Sequence, residues 1–351
     1  MKSRLDWRGW MTLVLWVLLC TGCMTVMLWW AAGKSIAIAD AAPNDRENVD
    51  NIDEEGVERY RLTLETEEGK PRHFTIPIAP AIRAAQISIE NRYMERQLWV
   101  YIKGAQASDY RDYVIAGDLS PVVGGWAQQQ EEMTILKLQM NAIQEYSSVM
   151  EENHLYVEYT PPDECYERIV VIDPRCGGED SGFVVDGRRE KEINLQIAKA
   201  VRRLLEGAGI KVYLTRQEDV EVSLEDRTLL VREVNADLYV GISVNGDEED
   251  PEQFGTEVWY NGDYFIPDFG SLQLADLLER QVTEAVVGRA NGLMETEDAV
   301  LQRLTVPGAL VKAGYLTHER EGELLAEEGY TKKIAAGIVA ALQQAYDLNA
   351  R

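Results

Sequence analysis

The sequence predicts an α/β domain with a mainly parallel sheet over residues 166–351, a β-rich domain over 57–162 before it, and an N-terminal transmembrane helix at 10–33. Three observations lead there. After residue 166, short buried-looking runs alternate with long stretches of helical period, the pattern of a parallel sheet joined by crossover helices. Between 57 and 162, short runs alternate apolar and polar side chains at period two and are cut by turn-rich pieces. Near the start, WMTLVLWVLLCTGCMTVMLWWAAG at 10–33 carries no charge.

Residues 1–9 form a short tail holding Lys2, Arg4 and Arg8. The apolar run that follows is long enough, at about 1.5 Å per residue, to cross a hydrocarbon core of about 30 Å. The basic flank places the N-terminus in the cytoplasm and the bulk of the chain outside a cell membrane crossed once. Trp7, Trp10, Trp29 and Trp30 stand near its two ends, where aromatic rings settle at the interface. Ala37-Ile38-Ala39 has the form of a signal-peptidase site, but the run exceeds an h-region of about 7–15 residues. Cys23 is a conceivable lipidated cysteine, yet Cys20 stands where an aliphatic residue is wanted. An uncleaved anchor is therefore expected. Residues 34–56 contain NDRENVDNIDEEG, poor in apolar side chains and rich in like charges, and read as an extended acidic linker.

In the β-rich block, strands are expected at 59–66, 73–78, 86–90, 97–103, 113–117, 134–140 and 155–159. A β-sandwich or small barrel follows, with Trp99, Ile102, Ile135 and Leu138 as core. In the last block, 169–172 reads as a buried strand and 190–206 as a helix burying Ile193, Ile197, Val201 and Leu205. Gly207-Ala208-Gly209 ends that helix, and 211–215 is the next strand, giving a βαβ unit. Residues 238–243 and 309–316 read as buried strands, and 272–287 and 332–346 as helices.

The net charge of -25 argues against nucleic acid and against anionic lipid, both of which need clustered Lys and Arg. Cys165 and Cys176 flank an extended run whose ends lie roughly 20 Å apart, beyond the about 4.4–6.8 Å that a disulfide spans. They are not expected to pair.

Several segments of the last block fall in a recognisable order: VVIDP at 170–174 with Gly177-Gly178, Glu190-Lys191 with Asn194-Leu195, VYLTR at 212–216, NADL at 235–238 leading into YVGISVN, GTE at 255–257, PGALV at 307–311 and GYL at 314–316. In this the block resembles the type-3, zinc-dependent N-acetylmuramoyl-L-alanine amidases of the cell wall. The preceding β-rich block is similar to the AMIN domains that come before such amidases and bind the envelope. The resemblance implies a zinc held by His, Glu and His with an open position for water, and a Glu on the last strand as general base. Four positions depart from that pattern. Cys176 stands for the first His and Arg175 for the glycine before it; Ser243 stands for the second His and Lys312 for the base. Glu190 is the retained ligand, and Asn245 lies near the cleft.

These substitutions imply a degenerate amidase in which no zinc, and no other cofactor, is expected, with peptidoglycan or an envelope protein as partner. An active amidase hydrolysing the muramic acid–L-alanine amide is the alternative. A cysteine nucleophile at Cys176, favoured as thiolate by Arg175, and a phosphate loop at 177–182 are weaker readings; Glu179 and Asp180 oppose the latter. A lone buried carboxylate needs a cation, so Lys312 is expected to approach Glu190 within about 4 Å, with Arg175 as the competing partner.

Overall fold

The computed structural model describes residues 35–38, 59–67, 69, 71–263, 266 and 268–348. The expected anchor at 10–33 and most of the acidic linker lie outside the described residues. Among the described residues no helix is long and apolar enough to cross a membrane, which overturns the expected single-pass localisation. The longest described helix, Glu328–Asp347, carries Glu328, Lys332, Lys333 and Asp347 and buries one side only. The chain divides into two compact units between Thr160 and Pro161.

The first unit contains β1 (Ser35–Ile38), β2 (Arg59–Arg61), β3 (Thr63–Thr66), β4 (His73–Pro77), β5 (Ile87–Arg92), β6 (Gln97–Lys103), β7 (Val114–Gly117), β8 (Val122–Gln130), β9 (Met133–Met140), β10 (Glu145–Glu151) and β11 (His154–Thr160). They form one sheet in the order β1-β10-β11-β4-β7-β3 and another in the order β2-β8-β9-β6-β5. Phe74, Ile76, Leu155 and Val157 of the first share one core with Leu98, Val100, Ile102, Leu136 and Leu138 of the second. The unit is thus a β-sandwich.

Three expectations need correction here. Trp99 is not core. Side chains alternate across a strand, so Trp99 and Ile102 point to opposite faces. Leu98, Val100 and Ile102 point inward, while Trp99 stands on the outer face with Arg92 and Lys137 against its ring at 4.5 and 4.1 Å. Ile135 is buried, as expected, on the face that it shares with Tyr101. The run at 59–66 is two strands in two sheets: Leu62 buries between them, its N–H bonded to the Gly125 carbonyl at 3.1 Å. Finally, Ser35–Ile38, assigned to the linker, pairs antiparallel with β10.

The second unit holds α1 (Pro162–Cys165), β12 (Ile169–Pro174), β13 (Val184–Val185), β14 (Arg188–Arg189), α2 (Glu190–Glu206), β15 (Lys211–Leu214), α3 (Leu224–Glu233), β16 (Leu238–Asn245), β17 (Thr256–Tyr260), α4 (Ser271–Val286), β18 (Ala290–Glu295), β19 (Gly308–Tyr315), α5 (Glu319–Leu325) and α6 (Glu328–Asp347). Its six-stranded sheet runs β15-β12-β16-β19-β17-β18. The pairs are parallel except β17 against β19. One face of the sheet carries Val170, Ile172, Val240 and Ile242 into a core with Ile193, Ile197, Val201 and Leu205 of α2, Leu274 and Leu278 of α4, and Ile334 and Ile338 of α6. Each fully buried aliphatic side chain contributes about 1.5–3 kcal/mol. Gly209, at φ +78°, lets the chain turn so that the Ile210 N–H reaches the Leu205 carbonyl at 3.0 Å, closing α2.

Candidate functional site

The odd-numbered side chains of β16 face the other side of the sheet, and the four departing positions gather there. Strand register sets them side by side: Ser243 lies opposite Lys312, and Lys312 opposite Glu257. Cys176 follows the end of β12. The β13–β14 hairpin returns the chain so that Glu190 opens α2 above the same spot.

Glu190 is 4 % exposed and accepts three hydrogen bonds. Ser243 Oγ donates to Oε1 at 2.5 Å, Asn194 Nδ2 to Oε1 at 3.2 Å, and the Phe183 N–H to Oε2 at 3.1 Å. Gly182 makes this approach possible: its φ is +60°, and a Cβ there would run into the Glu190 carboxylate. The Lys312 ammonium donates to Ser243 Oγ at 3.2 Å and lies 4.8 Å from the Trp259 ring centre. Burial lowers the Lys312 pKa, while Glu190 and Glu257 pull it back up. Glu257 in turn accepts from Asn245 at 2.9 Å and from the Trp259 indole at 2.7 Å.

The expected direct approach of Lys312 to Glu190 is therefore corrected: Ser243 stands between them. Arg175 is not a competitor for Glu190. Its guanidinium is held by Asp298 at 2.9 Å and Asp173 at 3.1 Å, and it lies along Gly241 on the sheet floor. Asp173 is fully buried and also bonded by Arg227, Thr215 and Tyr239. Burial raises its pKa, but Arg227 and Arg175 outweigh that and hold it below the usual carboxylate value.

Cys176 carries a free thiol and so does not pair with Cys165. The thiolate reading of Cys176 is corrected as well. Burial, with Glu190 and Asp180 nearby, pushes its thiol up to about 12, and Arg175 is spent on two aspartates. Its backbone is left-handed, φ +63°, a conformation that His tolerates better than most side chains. His318 caps α5, its Nδ1 accepting the Glu321 N–H at 3.1 Å. Among the described residues no group of three or more His, Cys, Asp and Glu is placed to hold a metal ion.

Sequence reasoning missed Asn194, Glu257, Trp259 and Asp298 as site residues. Asn194 was within reach, since positions four apart share a helix face with Glu190. Glu257 lay inside the quoted GTE segment, but its place opposite Lys312 needs the antiparallel pairing of β17 with β19.

Residues 170–344 match the family model described as N-acetylmuramoyl-L-alanine amidase. The chain is 32% identical over 180 residues to the uncharacterized protein YqiI of Bacillus subtilis (strain 168), covering 51% of this chain and 85% of that one. It is 30% identical over 183 residues to the sporulation-specific N-acetylmuramoyl-L-alanine amidase of the same organism, covering 51% and 68%. Among solved structures it is similar to the N-acetylmuramoyl-L-alanine amidase AmiC2 of Nostoc punctiforme, with 30% identity, TM-score 0.49, and 52% of this chain and 98% of that one covered.

Proposed function

The chain belongs, through residues 170–344, to the N-acetylmuramoyl-L-alanine amidase family, and on that premise we propose that it binds cell-wall glycopeptide, or docks an envelope partner on the same cleft, without cutting the amide. The observation that carries this reading is the donor set around Glu190. A catalytic zinc needs three protein ligands and an open position. Here one carboxylate is shared among Ser243, Asn194 and the Phe183 N–H. The neighbouring thiol is held in its neutral form, and a serine hydroxyl is a poor zinc ligand. The position of the family's general base is occupied by an amine whose hydrogen already points at Ser243. These residues do not fit zinc.

The β-sandwich unit supplies targeting or spacing in this reading, as the AMIN-like resemblance suggests. The test is metal analysis of the purified chain together with turnover of muropeptides and co-sedimentation with sacculi. Binding to sacculi with no stoichiometric metal and no release of stem peptide is the expected result. One zinc per chain with cleavage of the muramic acid–L-alanine bond would replace this reading with that of an active amidase.

A further inference from the structure

Glu190 carries a carboxylate into a place with almost no water, and such a charge is costly unless donors and a counter-charge meet it. Its three hydrogen-bond donors are all neutral groups. Around it, Arg175 is paired with Asp173 and Asp298, Lys191 with Asp219 at 2.6 Å, and Arg216 with the carbonyls of Pro174 and Lys191. Lys312 is the cation whose contact leads to Glu190, through one hydroxyl.

We infer that Lys312, acting through Ser243, is the built-in counter-charge of Glu190, so that the site is a metal-independent ion relay. This rests on the reading above that the cleft holds no zinc. The chemistry of a hydroxyl sets the direction of the relay. Ser243 has one proton and two lone pairs. Two acceptors face that proton, Glu190 Oε1 at 2.5 Å and the Val244 carbonyl at 3.1 Å; directed at the nearer, it leaves a lone pair to accept from the Lys312 ammonium. The hydroxyl dipole then points its positive end at the carboxylate and its negative end at the cation.

The backbone places the three residues together. Ser243 and Lys312 are partners in the parallel ladder of β16 and β19, and Glu190 is placed by the first turn of α2. On its far side Lys312 meets Glu257 in the next ladder and the face of Trp259, which receives a cation favourably. Lys312 therefore lies between two carboxylates, each fixed by its own neutral donors.

A double-mutant cycle on the full chain, read by chemical denaturation, tests the coupling. Lys312→Met alone should lower the folded-to-unfolded ratio about tenfold, and in a Glu190→Gln background by less than about twofold, within the coupling expected of close charged neighbours. Ser243→Ala should bring most of the Lys312→Met loss by itself, because it cuts the relay. Additive single effects would overturn the proposal whatever the metal content of the wild-type chain. A second variant covers a Lys312→Met chain that folds poorly: Lys312→Arg keeps the positive charge and should retain most of the wild-type stability, and a loss as large as that of Lys312→Met would overturn the proposal. Zinc in the wild-type chain would instead sink the functional reading, and the two failures are told apart by the cycle.

Discussion

At Gly182 the backbone takes a left-handed turn directly beneath the Glu190 carboxylate, leaving no room for a side chain. Gly182→Ala combines backbone strain with a displaced carboxylate and should cost about 1–3 kcal/mol, read by urea denaturation. A variant as stable as wild type would mean that the hairpin shifts freely. Asp173 gives the corresponding pH experiment. Its folded pKa is depressed, so the stability it supplies is present above the unfolded value of about 3.9 and is lost as pH falls through the folded value. Asp173→Asn strips Arg175 and Arg227 of a buried partner and should cost about 3–5 kcal/mol at neutral pH. The gap between variant and wild type should narrow only below about pH 4; a gap that is flat with pH would show that Asp173 acts through packing alone.

Among the elements, α2 joins the two roles of the second unit. Its first residue enters the site, and its buried face holds the sheet. Ile197 is fully buried in that face. Ile197→Ala should cost about 2–5 kcal/mol by removing packed methyl groups, measured by thermal or denaturant unfolding. Helix α2 was legible because apolar residues recur every four positions from Ile193 to Leu205, which is a local signal. Strand β8 was not read, because Gly124, Gly125 and three glutamines hide its period. Gly125 is small because a Cβ would press on the Lys137 carbonyl of the neighbouring strand, a constraint seen only once β8 and β9 pair. Strand β10 was missed for the same kind of reason: its inward Tyr146 and Ser148 alternate with polar residues, and nothing in EYSSVME marks which side is covered.

For the whole molecule, each unit has its own apolar core, Leu62 to Tyr159 in one and Val170 to Tyr346 in the other. Removing residues 57–160 should therefore leave the second unit folding cooperatively, with a sharp denaturation transition. A broad or absent transition would show that the units share stability. The α/β grammar of the second unit, the presence of a β-rich unit before it, and the departures at 175, 176, 243 and 312 were legible in the residues alone, because periodicity and ordered segments are properties of neighbouring residues. Which side chains meet is a matter of the fold. Arg175 pairs with Asp298, 123 residues away, and Lys312 reaches Glu190 only through Ser243. Trp99 faces outward for the same reason. These outcomes depend on the lateral order of strands and on which face is buried, and that order is set by the closing of long loops around a common core, where no local spacing can be read.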